Sequence, residues 1–146
     1  MIDKTEVAQI RDLILDQADA IKNKDIQGAS KNYATDALLF DVVGLLQQKG
    51  AISVGKRLAE WFASFNENES VEFEIVNLTI KADDEIGFSF GFNHITAPLK
   101  NGEKLDMYWR ETLCWQKKDN AWQIVNAHSS VPFNSESGKA ETGLKP

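Results

Sequence analysis

The chain has 146 residues, of which 42% are hydrophobic, 26% charged and 10% aromatic, the profile of one globular domain able to bury roughly 70% of its unfolded surface. Its 22 acidic against 16 basic residues leave a net charge of −6, which repels phosphate backbones and anionic lipid and argues against nucleic-acid or membrane partners. Cys114 is the single cysteine, and the start Met1-Ile2-Asp3-Lys4-Thr5-Glu6 runs into charge where a signal peptide needs an apolar stretch, so a cytoplasmic protein without disulfides is expected.

From Thr5 to about Asn23, the residues Val7, Ile10, Ile14, Gln17 and Ile21 step by three and four, the period of an amphipathic helix with Thr5 as its N-cap. Gln17 is the polar member of that apolar stripe. Asp25 is placed to cap a second short helix, whose Ile26, Ala29 and Tyr33 face inward before Thr35-Asp36 end it. Ala37-Leu38-Leu39-Phe40 then enters a strand that ends at Asp41-Val42-Val43-Gly44. After a short return piece, Leu45 to Gln48, and a Lys49-Gly50 turn, the residues Ile52, Leu58, Trp61, Phe62 and Phe65 mark a third helix, weakened in its first turns by Val54-Gly55.

From Val71 the period changes to two: Val71, Phe73 and Ile75 alternate with Glu72 and Glu74, and Phe88, Phe90 and Phe92 alternate with Ser89, Gly91 and Asn93. Turn signals at Asp83-Asp84, Asn101-Gly102 and Asp119-Asn120 divide Val71 to Val131 into four long strands. Helices gathered in front of antiparallel strands predict a single α+β domain over residues 1–133, with helices covering one face of a bent sheet. Residues 134–146, rich in Ser, Gly, Lys and Glu, read as a flexible tail.

Two well-separated histidines and one cysteine are too few soft ligands for zinc, and no phosphate-cradling glycine loop, nucleophile elbow or dinucleotide fingerprint is present, so neither metal nor cofactor is expected. If Asp119-Asn120 is a two-residue hairpin loop, Lys118 faces Ala121, Glu111 lies opposite His128, and Leu113 lies opposite Asn126. One face then carries Trp109, Glu111, Leu113, Trp115, Ile124, Asn126, His128 and Ser130. Arg110, Thr112, Cys114, Val125, Ala127 and Ser129 lie on the other. The face bearing Phe88, Phe90 and Phe92 continues to His94, so aromatic bulk gives way to an imidazole along one line. Apolar walls with a few polar groups are what a small-molecule pocket needs. Each polar residue also has a structural reading: Gln17 at a helix edge, Asp41 bonded to turn N–H groups, Glu111 and His128 as an exposed ion pair, His94 as a satisfied structural histidine.

The element order, with Asn23-Lys24-Asp25-Ile26 through Tyr33-Ala34-Thr35-Asp36-Ala37-Leu38-Leu39-Phe40-Asp41-Val42-Val43-Gly44, resembles the nuclear transport factor 2-like superfamily in its ketosteroid-isomerase and SnoaL-like branch. Glu111-Thr112-Leu113-Cys114-Trp115 with Trp122 to Ser130 is similar to the closing hairpin of the kinase II association domain. This resemblance implies a cone-shaped, curved antiparallel sheet packed against three N-terminal helices. It carries the isomerases' general-base aspartate onto Asp41, a pocket tyrosine onto Tyr33, and a second oxyanion donor near Glu111. Their principal oxyanion tyrosine falls on Gln17, and the association domain's pocket arginine falls on Leu113, which are both departures.

The implied function is small-molecule binding, extending to a cofactor-independent isomerase, hydratase or cyclase that moves protons in an apolar pocket. Asp41, Glu111 and His128 are its candidate catalytic residues, and Gln17, Tyr33, Phe90, Phe92, His94, Trp109, Leu113 and Asn126 its candidate substrate contacts. A non-catalytic ligand-binding or dimeric assembly module is the alternative, since the same cone serves both. The expected partners are a small hydrophobic or carbonyl-containing molecule and a second copy of the chain, docked through the outer sheet face with Arg110, Thr112, Cys114, Val125 and Val131.

Overall fold

The computed structural model describes residues 4–146; the expectations resting on Met1-Ile2-Asp3 lie outside the described residues. Helix α1 (Glu6–Lys22) begins where the side chain of Thr5 accepts a hydrogen bond from the Ala8 N–H, and it buries Ile10, Ile14, Ala18 and Ile21 along one stripe. Helix α2 (Ile26–Ser30) is capped by Asp25, which accepts from the Gly28 N–H at 3.0 Å. It is shorter than expected. Tyr33 already belongs to strand β1 (Tyr33–Phe40), because its aromatic ring and the run that follows have more to bury against a sheet than on another helical turn.

The chain beyond Asp41 passes through bends to a two-residue strand β2 (Gln48–Lys49). Gly50, at φ +89°, then caps helix α3 (Ala51–Ala63); a β-carbon there would lie 2.7 Å from the Thr35 carbonyl oxygen. Ile52 is on the exposed side of α3, while Val54 and Phe62 are buried. Strands β3 (Glu72–Ala82), β4 (Ile86–Pro98), β5 (Lys104–Lys118) and β6 (Ala121–Ser130) follow at the three expected turns. Asp119 and Asn120, at φ 51° and 64°, form the two-residue turn that suits a right-twisted hairpin.

The α+β architecture is a six-stranded sheet in the order β2-β1-β6-β5-β4-β3, antiparallel except where β1 runs parallel to β6. The register shifts at three places: between Tyr33 and Leu38 of β1 against β6, and at two places in the antiparallel part. Between Val76 and Thr79 of β3 the register shifts around Asn77, which takes φ 56°. Between Cys114 and Trp115 of β5 a second shift leaves Val125 as an extra residue in β6. The three helices cover one face, and two apolar clusters fill the space between. One gathers Ala18, Ile21, Ala29, Phe62, Phe65, Phe73 and Ile95, and the other Ile10, Ile14, Ile80, Leu113, Trp115, Trp122 and Ile124. Glu6 pins the start of α1 to the far end of the sheet, accepting from Lys117 Nζ at 2.7 Å and Trp122 Nε1 at 2.8 Å.

Past Ser130 the chain stays largely exposed, turning back on itself through Asn134 N–H to Lys139 O, Gly138 N–H to Asn134 O and Glu141 N–H to Pro132 O. Among the described residues no helix is long and apolar enough to cross a membrane.

Candidate functional site

The extra residue in β6 determines which side chains meet. Up to Trp115 and Ile124 the hairpin pairs as its two-residue turn dictates, but beyond Val125 Leu113 faces Ala127, Thr112 faces His128 and Glu111 faces Ser129. One inserted residue moves every later side chain to the opposite face. The expected Glu111–His128 and Leu113–Asn126 pairs are therefore corrected: Ser129 Oγ donates to Glu111 Oε2 at 3.0 Å. His128 is exposed on the other side of the sheet, in edge contact with Phe40 at 5.3 Å. Asn126 also leaves the site, its Nδ2 donating to the Leu38 carbonyl at 2.9 Å.

A second correction concerns β4. Gly87, Ser89, Asn93 and Ile95 are buried, whereas Phe88 and Phe90 are exposed, so the aromatic row lies on the outer face together with Phe92 and His94. The buried face is the one that suits close packing: a β-carbon at Gly87 would come within 3.0 Å of Ile10 Cδ1 on α1, so the strand meets the helix there with its smallest residue. His94 stacks on Tyr108 with ring centroids 3.9 Å apart and bonds Glu74 at 2.9 Å and Asp106 at 2.8 Å. Burial works against its protonation, but the hydrogen bonds to the two carboxylates outweigh that and hold the imidazole above its usual pKa.

Between the helices and the concave face lies a cavity of about 290 Å³. Gln17, Tyr33, Asp41, Trp109, Glu111 and Leu113 line it, with apolar walls from Ile14, Leu58, Trp61, Phe73, Ile75 and Met107. Four polar lining residues were not foreseen: Gln48, Arg57, Asn93 and Ser129. Arg57 had a sequence signal, since Val54, Arg57, Leu58 and Trp61 follow the helical three-four step.

Deep in the wall, burial shifts Glu111 toward its neutral acid and the charge of Asp41 adds to that, while hydrogen bonds from Asn93 and Ser129 oppose it. Burial, then the charge of Glu111, push Tyr33 well above the usual tyrosine range, against a bond from Gln17, with Asp41 adding a further upward push. Gln17 Nε2 donates to the Tyr33 hydroxyl at 3.4 Å, and Asn32 Nδ2 donates to Gln17 Oε1 at 3.3 Å, so a short polar chain holds the phenol in place. At the mouth, the Asp41 carboxylate accepts from Arg57 Nη2 at 3.0 Å and from the Val42 N–H at 2.7 Å. Arg57 Nε is buried with no hydrogen-bond partner in the protein.

Chemically the cavity offers the Tyr33 hydroxyl, the Glu111 carboxyl that burial shifts toward its neutral form, and one ion-paired carboxylate, Asp41, in a largely apolar enclosure. Among the described residues no group of three or more His, Cys, Asp or Glu side chains is arranged to hold a metal ion.

The family model of the calcium/calmodulin dependent protein kinase II association domain matches residues 3–132. The chain belongs to that family. No curated protein matches it. Among solved structures, this association-domain chain is similar to a nuclear transport factor 2-like protein of unknown function from Pseudomonas putida KT2440, with a TM-score of 0.85 and 26% identity over 96% of each chain. A nuclear transport factor 2-like superfamily protein from Salmonella enterica serovar Typhimurium LT2 matches with a TM-score of 0.73 and 18% identity, covering 94% of this chain and 93% of that one. A ketosteroid isomerase-like protein from Erwinia carotovora atroseptica matches at 0.70 and 18%, covering 88% and 97%. At these identities the latter two establish the fold alone: the association domain here is a nuclear transport factor 2-like, ketosteroid-isomerase-like cone.

Proposed function

We propose that the chain binds a small apolar molecule bearing a carbonyl or hydroxyl group and moves a proton on it without a cofactor. The observation that carries this reading is the placement of Glu111, shifted toward a neutral acid, beside Tyr33 in the wall of an apolar cavity. Both groups then donate to a ligand oxygen and stabilise negative charge that develops on it. Ketosteroid isomerase is the known case of a carboxylic acid held neutral by an apolar site, and the parallel is one of logic. Asp41, at the mouth, is the group that accepts a proton from carbon; its bond to Arg57 sets the orientation of the carboxylate.

Size narrows the ligand. A cavity of about 150 Å³ holds benzene, so about 290 Å³ suits a molecule of one or two rings rather than four. An acetylnaphthalene meets these requirements, with a carbonyl for Glu111 and Tyr33 and methyl protons next to it for Asp41. Exchange of those protons for deuterium in heavy water, followed by NMR, is expected to be accelerated by the protein. In Asp41→Asn the acceleration drops by about a hundredfold or more. The melting temperature stays nearly constant, because a partly exposed, solvent-screened ion pair contributes at most about 1 kcal/mol. Full exchange in that variant rejects Asp41 as the base.

One observation favours a second reading. Both Asp41 carboxylate oxygens already accept hydrogen bonds, as suits a structural rivet at the mouth of a binding pocket that does no chemistry. Binding of the ketone without any exchange would select this non-catalytic reading. Under either reading we infer a homodimer through the outer sheet face, where Phe88 and Phe90 stack at 6.2 Å while remaining exposed.

A further inference from the structure

We propose that the loop between β1 and β2 is a closing rim for the cavity, with Leu45 and Leu46 as the residues that cover the ligand. The proposal rests on the ligand-binding reading above and adds residues that neither the sequence patterns nor the family relationship assigns to the site.

Val42 and Val43 already line the cavity mouth, and Gln48 lines it from the other end of the same loop. The intervening residues do not. Val43 is 58% exposed, Leu45 71% and Leu46 95%. Leu45 and Leu46, two large exposed apolar side chains beside the opening of an apolar cavity, gain contact area by folding over that opening. A rim of this kind leaves the interior drier and so strengthens each polar contact to Glu111 and Tyr33.

The loop has the parts that such a movement needs. Gly44 takes φ +89°, and nothing lies closer than 3.7 Å to the position of a β-carbon there, so its backbone is both permissive and uncrowded. It stands between the wall residues Val42 and Val43 and the exposed leucines, which is where a hinge must be. On the near side, Asp41 is tied to Arg57 of α3, and the Val42 N–H is held by the Asp41 carboxylate. On the far side, Gly50 N–H is bonded to the Ala37 carbonyl at 2.8 Å, and Leu39 pairs with Gln48. The two ends are anchored, and among the described residues the Gly44-Leu45-Leu46 apex between them makes no hydrogen bond.

The test is the double variant Leu45→Ser/Leu46→Ser, with the affinity for an acetylnaphthalene measured by isothermal titration and the amide hydrogen exchange of residues 42–47 followed with and without it. Both side chains are exposed, so their replacement leaves the fold intact, and an unchanged melting temperature checks this. With the rim closing, the wild-type loop amides become protected on ligand addition. The variant then binds about tenfold or more weakly, as expected for the loss of two apolar side chains from a buried contact. If the wild type binds the ketone but the variant binds equally well, or the loop amides exchange at one rate throughout, the rim fails while the cavity reading stands. If the wild type binds no ketone of one or two rings, the cavity reading fails and the rim with it. If the substitutions convert a dimer to a monomer, the leucines belong to an interface between copies, which also overturns the proposal.

Discussion

Glu111 sits in a wall shared with Trp109 and Leu113, and it is the residue through which pH acts on the site. Burial holds its carboxyl above the ordinary value of 4.5, so over a range of pH the folded chain keeps a proton that the unfolded chain has lost. Its favourable contribution is therefore fully present below that ordinary value and is lost as pH rises through the folded-state value. In Glu111→Gln the side chain no longer titrates and can still accept from Ser129. Relative to wild type the variant gains stability, read as a growing difference in melting temperature, as pH climbs above the ordinary carboxyl value of 4.5. Thermal melts of both proteins across that range check it, and curves that stay parallel would show that Glu111 is already ionised there. The same substitution removes the carboxyl from the cavity, so under the proposed function ketone exchange is expected to slow even where stability improves.

Among the elements, two of the three irregularities in strand pairing bear directly on Glu111. The shift around Asn77 in β3 lies against Gly91 of β4, where a β-carbon would approach the Val76 carbonyl oxygen at 3.0 Å, the Asn77 carbonyl oxygen at 3.3 Å and Leu78 Cα at 3.3 Å. All three are backbone atoms, which cannot swing aside as a side-chain tip does. Gly91→Ala is expected to destabilise the fold by about 1–3 kcal/mol, read from the midpoint of chemical denaturation. An unchanged midpoint would mean that the β3 irregularity relaxes freely. Gly91 also pairs with Glu111 across the sheet, so the variant should disturb ligand binding together with stability. The second irregularity, at Val125, gives Glu111 a serine hydroxyl in place of an imidazole. A neighbouring histidine would take the acid's proton, whereas Ser129 can donate to Glu111 without titrating.

Across the molecule, the helices consume the concave face, and the outer face keeps its apolar side chains in solvent. Ile86, Phe88 and Phe90 are all exposed there, a patch that a second sheet would cover. Sedimentation at micromolar concentration should show a dimer, and Phe90→Lys should return a 16.4 kDa species that still binds ligand, since Phe90 does not line the main cavity. A wild-type chain that sediments as a monomer removes the interface. The net charge of −6 sets a modest repulsion between copies, so the dimer should tighten with added salt if it forms mainly by apolar contact.

The elements and their order were legible in the residues alone, because helical three-four steps, strand alternation and turn residues such as Asp119-Asn120 are local signals that need no tertiary partner. Together with the family resemblance those residues also pointed to Gln17, Tyr33, Asp41, Trp109, Glu111 and Leu113, which the fold brings to one cavity. Which face of a strand is buried was not legible. A period of two says that Phe88, Phe90, Phe92 and His94 share a side, but only the packing of the opposite face, with Gly87, Ser89, Asn93 and Ile95 buried, shows that this side is the outer one. Nor was the extra residue at Val125 announced, since pairing energies spread over both strands choose a register that no single residue signals. That choice exchanged His128 and Asn126 for Ser129, and packing of α3 against the β1 end brought Arg57 to Asp41, because contacts between residues far apart in the chain exist only once the sheet has curved.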